Sequence, residues 1–345
     1  MLTTRVNLKD VADRANVATS TVSRALSGGR GVSPDKAEQI VKLARTMGYR
    51  VKSQPVPSSR AIGLVVGDAS VDDGRRAHQH DVVWQVALCA SARNLHLDVC
   101  VVNQQSADAL PAFVTQGRVD RLLITGCPSP QLVARLIETG LPTIAISDTV
   151  DRLGCPCVMP AAQDGTYSAV RQMIGMGHRN IAFITGPVVY PSVRRREEGY
   201  HRAMQDAGLE VPDSWTVRVL RNSLEQSAAA IRQLMARRDR PTAIVFSGDL
   251  LALGGLIEAN RLGIKVPDEL SLIGHDDSAI ARDATPPLTS VDLRLSQCIQ
   301  TAVDYLERQV NQPDATPGPD SPPQFEVDVE VKWRASCGPA PLDPH

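Results

Sequence analysis

Between residues 61 and 274 short apolar runs alternate with amphipathic stretches, and this alternation restricts the fold more than any other feature of the chain. Ala61-Ile62-Gly63-Leu64-Val65-Val66 is apolar throughout, the pattern of a strand buried on both faces. A helix over 82–94, a strand over 97–102, a helix over 107–116, a strand over 121–125, a helix over 131–139 and a strand over 142–147 are expected next. A second series gives helix 165–176, strand 180–185, helix 195–207, strand 217–220, helix 224–237, strand 243–246, helix 250–262 and strand 270–274. Strands alternating with helices in this way form parallel sheets covered by helices on both faces. Two series imply two doubly wound lobes. In such sheets ligands sit beyond the carboxyl ends of the strands, here in the cleft between lobes.

Residues 7–48 have a different character. Leu8, Val11, Ala12 and Ala15 fall at i, i+3, i+4 and i+7, one apolar stripe of a helix. Asn7 is placed to cap it, and Asp10 lies in the first turn, where the helix dipole favours an acid. Asn16 tolerates the left-handed conformation of a tight turn. A second short helix over 19–26 has Val22, Ala25 and Leu26 on one face and Thr19, Ser20, Ser23 and Arg24 on the other. Ser27-Gly28-Gly29 stops it. Ser33-Pro34-Asp35 starts a third helix, which turns Ala37, Ile40, Val41 and Ala44 inward and ends at Gly48.

Two short helices with a three-residue turn between them describe a helix-turn-helix. The second helix must be narrow and hydrogen-bonding on its outer face to enter a major groove, and Ser, Thr and Arg serve base edges or phosphates. A small helical bundle with a solvated face has the same pattern, and charge separates the two readings. Residues 1–60 carry eleven basic and four acidic side chains, net +7, whereas the remaining 285 are net −8. A basic head on an acidic body is expected when only the head meets a polyanion.

These residues also carry a resemblance. LKDVADRANVATSTVSRALSG followed by VSPDKAEQIVKLARTMGYR resembles the amino-terminal domain of the LacI/GalR family of transcriptional regulators. GHRNIAFITGP, RREEGYHRAMQDAGL, DLLALGGLIEANRLGIKVPDELSLIGHDD, PPLTSVD and VKWRAS extend the likeness over nearly the whole chain, to the family's body and its periplasmic sugar-binding cousins. The resemblance implies an α/β protein: a three-helix helix-turn-helix head plus two doubly wound parallel-sheet lobes of periplasmic-binding-protein type. The expected divisions are a DNA-binding domain at 1–50, a linker at 51–60 and an effector-binding and dimerisation domain at 61–338. Lobe 1 is expected to take about 61–160 with 291–322, and lobe 2 about 161–290 with 323–338. The implied function is a repressor on a near-palindromic operator, controlled by a small effector, a sugar or sugar derivative, bound between the lobes. The implied assembly is a homodimer, with pairing into tetramers left open.

The DNA-contacting set comprises Thr19, Ser20, Thr21, Ser23 and Arg24, with Arg30 and Tyr49. By resemblance, Asp148, Arg196, Asp249 and Asp276 stand where the family contacts effector, at carboxyl ends of strands or the helix starts after them. Carboxylate oxygens and a guanidinium fork suit the vicinal hydroxyls of a sugar. Arg196 would also suit a carboxylate or phosphate. Asp residues at strand ends also cap helices, and Arg196 has Glu197 and Glu198 beside it. His80 and Asp81 complete the set, in a turn where relatives often show aromatic residues. Gly248 replaces an asparagine that relatives often use toward effector. The linker departs from the family: Pro55 falls inside the usual hinge helix and Ser58 replaces its wedging leucine, so weak operator bending is expected.

The 345 residues are 43% hydrophobic and 22% charged, ordinary for a globular chain of two or three domains. Seven scattered cysteines (Cys89, Cys100, Cys127, Cys155, Cys157, Cys298 and Cys337) are expected to be reduced. No signal peptide is recognisable and no run of about 18 apolar residues occurs, so the chain is expected to be cytoplasmic. A transport-type binding protein would need a signal peptide and no basic head. An enzyme on this fold is disfavoured, because no G-x-G-x-x-G, phosphate loop or G-x-S-x-G elbow is present. No cofactor or metal is expected. The Pro-rich stretch 312–324 is expected to be a surface insertion.

Overall fold

The computed structural model describes residues 7–26, 32–47, 60–67, 76–102, 109–126, 128–146, 154–188, 190–312 and 322–342. The chain divides into two compact units, Met1–Ser58 and Ser59–His345.

In the head, α1 (Leu8–Ala15), α2 (Thr19–Leu26) and α3 (Pro34–Thr46) enclose a core of Val11, Ala12, Val22, Ala25, Ile40 and Ala44. The Asn7 side chain accepts from the backbone of Lys9 and Asp10, at 2.9 and 3.1 Å, and Asp10 accepts from the Asn7 amide at 2.7 Å. This reciprocal cap satisfies amides that the first turn would leave without partners. Asn16 ends α1 at φ 52° and ψ 47°, the left-handed turn expected of it. The linker 51–59, with Pro55 and Ser58, lies outside the described residues.

Among the described residues the body holds two six-stranded sheets. The first is built from β1 (Ala61–Gly67), β2 (His96–Val102), β3 (Arg121–Gly126), β4 (Thr143–Ile146), β5 (Cys157–Pro160) and β11 (Gln324–Val327), in the order β11-β5-β4-β3-β1-β2, all parallel. One face packs on α4 (Arg76–Ala92) and α12 (Leu295–Asn311) through Leu64, Val82, Val86, Ile299 and Val303. The other packs on α5 (Ala112–Thr115) and α6 (Pro130–Glu138) through Val65, Phe113, Leu132 and Leu136.

The second sheet is built from β6 (Ile181–Thr185), β7 (Thr216–Arg218), β8 (Ala243–Phe246), β9 (Ser271–His275), β10 (Thr289–Asp292) and β12 (Glu330–Lys332), in the order β12-β10-β9-β8-β6-β7. Only β12 runs antiparallel. α7 (Ala162–Gly175) and α8 (Pro191–Asp206) cover one face through Val170, Met173, Tyr200 and Met204. α9 (Leu224–Met235), α10 (Asp249–Arg261) and the short α11 (Ala279–Asp283) cover the other through Ile231, Leu234, Leu251 and Ala281. Because β6, β8 and β9 are parallel, their carboxyl ends share one edge, and the pocket described below lies there.

Several expectations need correction. β11 pairs with β5, Gln324 opposite Cys157 and Val327 opposite Pro160, so 324–327 belong to the first lobe and not the second. Val291 and Asp292 lie in β10, and therefore in the second lobe. The chain crosses between lobes after β5, after β10 and after β11, and backbone pairing at the strand edges decides where each crossing falls. The helix expected at 107–116 is the single turn α5, because Pro111 precedes it in an extended conformation and 107–108 lie outside the described residues. α4 begins at Arg76, so His80 and Asp81 are helical rather than in a turn. α12 was not expected as a separate element, although Cys298, Ile299, Ala302, Val303 and Leu306 form its buried stripe. Cys127 lies outside the described residues, and Cys89, Cys100, Cys155, Cys298 and Cys337 are free thiols. Of the Pro-rich stretch, 313–321 lie outside the described residues.

Gly199 on α8 is required by close helix packing: a Cβ there would stand 2.2 Å from the Gln163 carbonyl oxygen on α7. Gly199→Ala should cost about 1–3 kcal/mol in urea unfolding. Gly175→Ala, where a Cβ would meet nothing within 4 Å, should leave the midpoint unchanged or raised. Equal effects from the two substitutions would contradict this packing.

Candidate functional site

The head presents its outer face through α2. Thr19, Ser20 and Arg24 are exposed, while Thr21 and Ser23 are partly covered. Val22 and Ala25 hold the helix down, so the polar face is turned away from the core. The Arg24 Nε donates to the Ser20 carbonyl one turn earlier, at 3.2 Å, which lays the guanidinium along that face. The expected contacts Arg30 and Tyr49 lie outside the described residues.

In the body, a pocket is lined at the second sheet's carboxyl edge and also by α4 of the first lobe. Arg196 anchors it from the second turn of α8, a helix started by Pro191 at its first position. The residue is 6% exposed. Nη1 donates to the Ser247 carbonyl, Nη2 donates to Asp276 Oδ1 at 3.2 Å, and the buried Nε has no hydrogen-bond partner. Arg196 therefore does not pair with its neighbour Glu197, which instead accepts from Arg218.

Asp276 follows β9 at φ 102°, a conformation few side chains adopt, and Asp277 follows at φ 47°. The surroundings hold this backbone in place. The Asp276 amide donates to the Val291 carbonyl at 3.0 Å and the Asp277 amide to Ser290 Oγ at 3.0 Å. The Asp277 carboxylate accepts from Arg334 at 2.5 Å.

Asp249, the first residue of α10, is 2% exposed. It accepts from the Ser278 amide and hydroxyl, both at 2.8 Å, and from Ser290 Oγ at 2.7 Å. Gly274 makes this possible, because a Cβ there would lie 2.2 Å from Asp249 Oδ1. Burial, reinforced by the nearby Asp276 carboxylate, pushes the Asp249 pKa up to about 7. Behind it, His275 bridges Thr166 Oγ1 and the Phe246 carbonyl, each at 2.8 Å. Burial, with the positive Arg196 nearby, lowers the His275 pKa to about 3, so it is a neutral structural brace.

Of the expected effector residues, Arg196, Asp249, Asp276 and Asp81 meet at this pocket. His80 does not: it is exposed, and His78 lines the pocket in its place. On a helix, 78 and 81 share a face while 80 turns away, so an earlier helix start would have identified His78. Asp148 lies outside the described residues. Asn222, Ser247 and Ser278 were not anticipated. Asn222 sits over Gly186, where a Cβ would be 2.1 Å from its Oδ1, and no sequence pattern marks it. At Gly248 a Cβ would meet only Asp276 Oδ2, at 3.6 Å, so neither crowding nor backbone requires glycine there. Among the described residues no cluster is suited to a metal.

The comparisons with known proteins agree with this architecture. The profile of bacterial regulatory proteins of the lacI family matches residues 7–51, and that of the periplasmic binding protein-like domain matches 170–337. The chain is 28% identical over 352 residues to the HTH-type transcriptional repressor PurR of Escherichia coli O139:H28 (strain E24377A / ETEC), covering 97% of this chain and 98% of that one. Its fold is similar to the transcriptional regulator CelR in its cellobiose complex, with TM-score 0.71 and 24% identity over 96% of this chain and 100% of that one. It is also similar to the lac repressor dimer bound to operator and the anti-inducer ONPF, with TM-score 0.68 and 23% identity over 96% and 99%. The chain belongs to the lacI family: a DNA-binding transcriptional regulator, not an enzyme, with a helix-turn-helix head and a periplasmic-binding-protein-like ligand-binding body. No described helix is long and apolar enough to cross a membrane.

Asp249 and His275 pull stability in opposite directions with pH. The folded pKa of Asp249 is raised from 3.8 to about 7, so its ionisation costs stability as pH rises through that window. The folded pKa of His275 is lowered from 6.5 to about 3, so its contribution is complete above 6.5 and is lost as pH falls through the window below. Asp249→Asn removes only the first effect. The variant should lose stability more steeply than wild type on acidification from pH 7 to 4, by up to about 1.4 kcal/mol per pH unit. Urea titrations at several pH values check this, and an unchanged slope would mean that Asp249 stays ionised in the fold.

Proposed function

We propose that the protein is a cytoplasmic repressor that binds a near-palindromic operator as a homodimer and is controlled by a sugar or sugar derivative held in the body pocket. The observation that carries this reading is the buried Arg196–Asp276 pair with its unsatisfied Nε, set against Asp81 of the other lobe. A hydroxyl both donates and accepts, so sugar hydroxyls suit carboxylate acceptors beside an N–H donor. Thr19, Ser20, Thr21, Ser23 and Arg24 are the proposed DNA contacts. Effector that binds one arrangement of the two lobes more tightly shifts the dimer toward it and so changes operator affinity.

The homodimer is supported by an apolar face on the first lobe. Trp84 and Leu88, one turn apart on α4, are 64% and 50% exposed, and Val99 and Val101 on the edge strand β2 are 43% and 60% exposed. Val99 and Val101 stand opposite Leu64 and Val66 in register and so share the α4 side of the sheet. A continuous apolar face of this kind marks an interaction surface.

Arg24→Ala should weaken specific operator binding roughly 10- to 100-fold with the body still folded, whereas Thr19→Ala or Ser20→Ala should shift sequence preference more than total affinity. Arg196→Ala should abolish effector response and keep operator binding. Selection of bound DNA from random fragments, with and without a metabolite pool, supplies the operator and the response. Unchanged operator affinity in Arg24→Ala, or unchanged effector affinity in Arg196→Ala, would remove that residue from its role. Leu88→Asp should shift the sedimenting species from dimer to monomer, and a dimer that persists would place the interface elsewhere.

A further inference from the structure

One helix, α4, runs from the body pocket to the point where the chain leaves the linker. Near its start His78 and Asp81 line the pocket. Just past its end stands Arg93, whose carbonyl oxygen accepts from Arg60 Nη2 at 3.2 Å. Arg60 immediately precedes β1 and is exposed. The helix sequence, RAHQHDVVWQVALCASA, contains neither Gly nor Pro, so nothing in it marks a kink. At a rise of ~1.5 Å per residue it carries a displacement about 22 Å, from His78 to Arg93.

Both ends of α4 are tied to β1. At the pocket end Gln79 Nε2 donates to the Gly67 carbonyl at 3.2 Å. At the far end the tie is the Arg60 bond. Backbone bonds fix this root of the linker to the sheet: the His96 amide donates to the Arg60 carbonyl at 2.7 Å, and the Asp120 amide to the Ala61 carbonyl at 3.1 Å. The Arg60 side chain fixes the same root to the helix.

A second element converges on this point. α12 starts just after Arg294, where the chain arrives from β10 of the second lobe. It shares one apolar core with α4 through Val82, Val86, Ile299 and Val303. Its Asp304 accepts from Arg93 Nη2 at 2.7 Å, and its Glu307 lies 3.6 Å from Arg93 Nε. Arg93 Nη1 donates to Cys89 Sγ, one turn back on α4, at 2.7 Å. An isolated exposed ion pair contributes little, but a guanidinium shared among two carboxylates of another helix and a thiol of its own has its position set. The helix that touches the pocket and the helix that follows the crossing are thus locked together at Arg93, beside the linker root.

Resting on the effector reading above, we infer that Arg60 and Arg93 are the positioning pair that passes the state of the pocket to the linker. α4 shifts with its pocket end, the Arg93 carbonyl shifts with it, and the Arg60 bond moves the linker root. Neither residue lines the pocket.

The test uses the full chain, the operator selected from random fragments and a low-molecular-weight bacterial metabolite extract. A rise in melting temperature reports occupancy of the pocket, and its loss in Arg196→Ala ties it to that site. Fluorescence anisotropy reports operator affinity with and without extract. In wild type the extract should change that affinity at least about fivefold, the lower end of ordinary allosteric coupling. Arg60→Ala removes the bond to α4, and Arg93→Ala frees the end of α4 from α12. Each should keep the rise in melting temperature while the change in operator affinity falls below about twofold. Arg60→Lys, which keeps an N–H donor on a long stem, should restore part of the change, and failure to restore any overturns the carbonyl tie. A merely structural role would lower the extract-free melting temperature and leave the ratio of operator affinities intact; a full ratio in either alanine variant overturns the inference. Loss of the melting rise together with the operator response also overturns it, because the two residues would then shape the pocket. A wild-type protein whose operator affinity does not respond to extract removes the effector reading, and this inference with it.

Discussion

A guanidinium taken out of water costs several kcal/mol unless its N–H groups find acceptors, and the carboxyl edge of the second sheet is built around meeting that need for Arg196. Its acceptors come from two separate segments: the Ser247 carbonyl beyond β8 and the Asp276 side chain beyond β9. The residue itself comes from a third, α8. One side chain thus ties together three connections of a parallel sheet that no backbone ladder joins at that edge. The engagement is incomplete, since Nε is left without a partner. A buried donor left in this way favours a ligand that completes it.

Around this tie the fold accepts local cost. Asp276 and Asp277 take left-handed backbone conformations, Asp249 is buried close to a like charge, and Gly186 and Gly274 give up side chains so that Asn222 and Asp249 can approach. Each is supported by something rigid: the amides to Val291 and Ser290, the hydroxyls of Ser278 and Ser290, and the neutral His275 behind. The site is therefore preorganised on the second lobe. The first lobe contributes a helix face, His78 and Asp81, to the same pocket. That division suits a ligand sensor, because a ligand touching both sides biases how the lobes meet.

The head shows the same economy at smaller scale. Among the described residues its buried apolar set is small, and its helices gain from the reciprocal Asn7–Asp10 cap and the left-handed Asn16 turn. The Asn7 cap and the Asn16 turn were legible from single residues because capping and turn chemistry are local, whereas the return bond from the Asn7 amide to Asp10 was not read. The charge contrast between head and body was legible for the same reason: it is a property of composition by segment.

Local chemistry was enough for the strand–helix alternation and the three head helices, since burial on both faces of a parallel strand leaves an apolar run and helical burial leaves a stripe; Arg196, Asp249 and Asp276 were marked by the family resemblance. Local chemistry was not enough for anything decided by a partner distant in the chain. That β11 joins the first sheet follows from its pairing with β5, more than 160 positions away. That His78 and not His80 faces the pocket follows from where α4 starts. Asn222 enters the site only because Gly186 leaves room for it. The pairing of Arg196 with Asp276, rather than with the adjacent Glu197, required the sheet to bring residues 80 positions apart within hydrogen-bond reach. Local propensity is written in neighbouring residues, whereas the choice among competing partners for a buried charge is made by the geometry that excludes water from all but one of them.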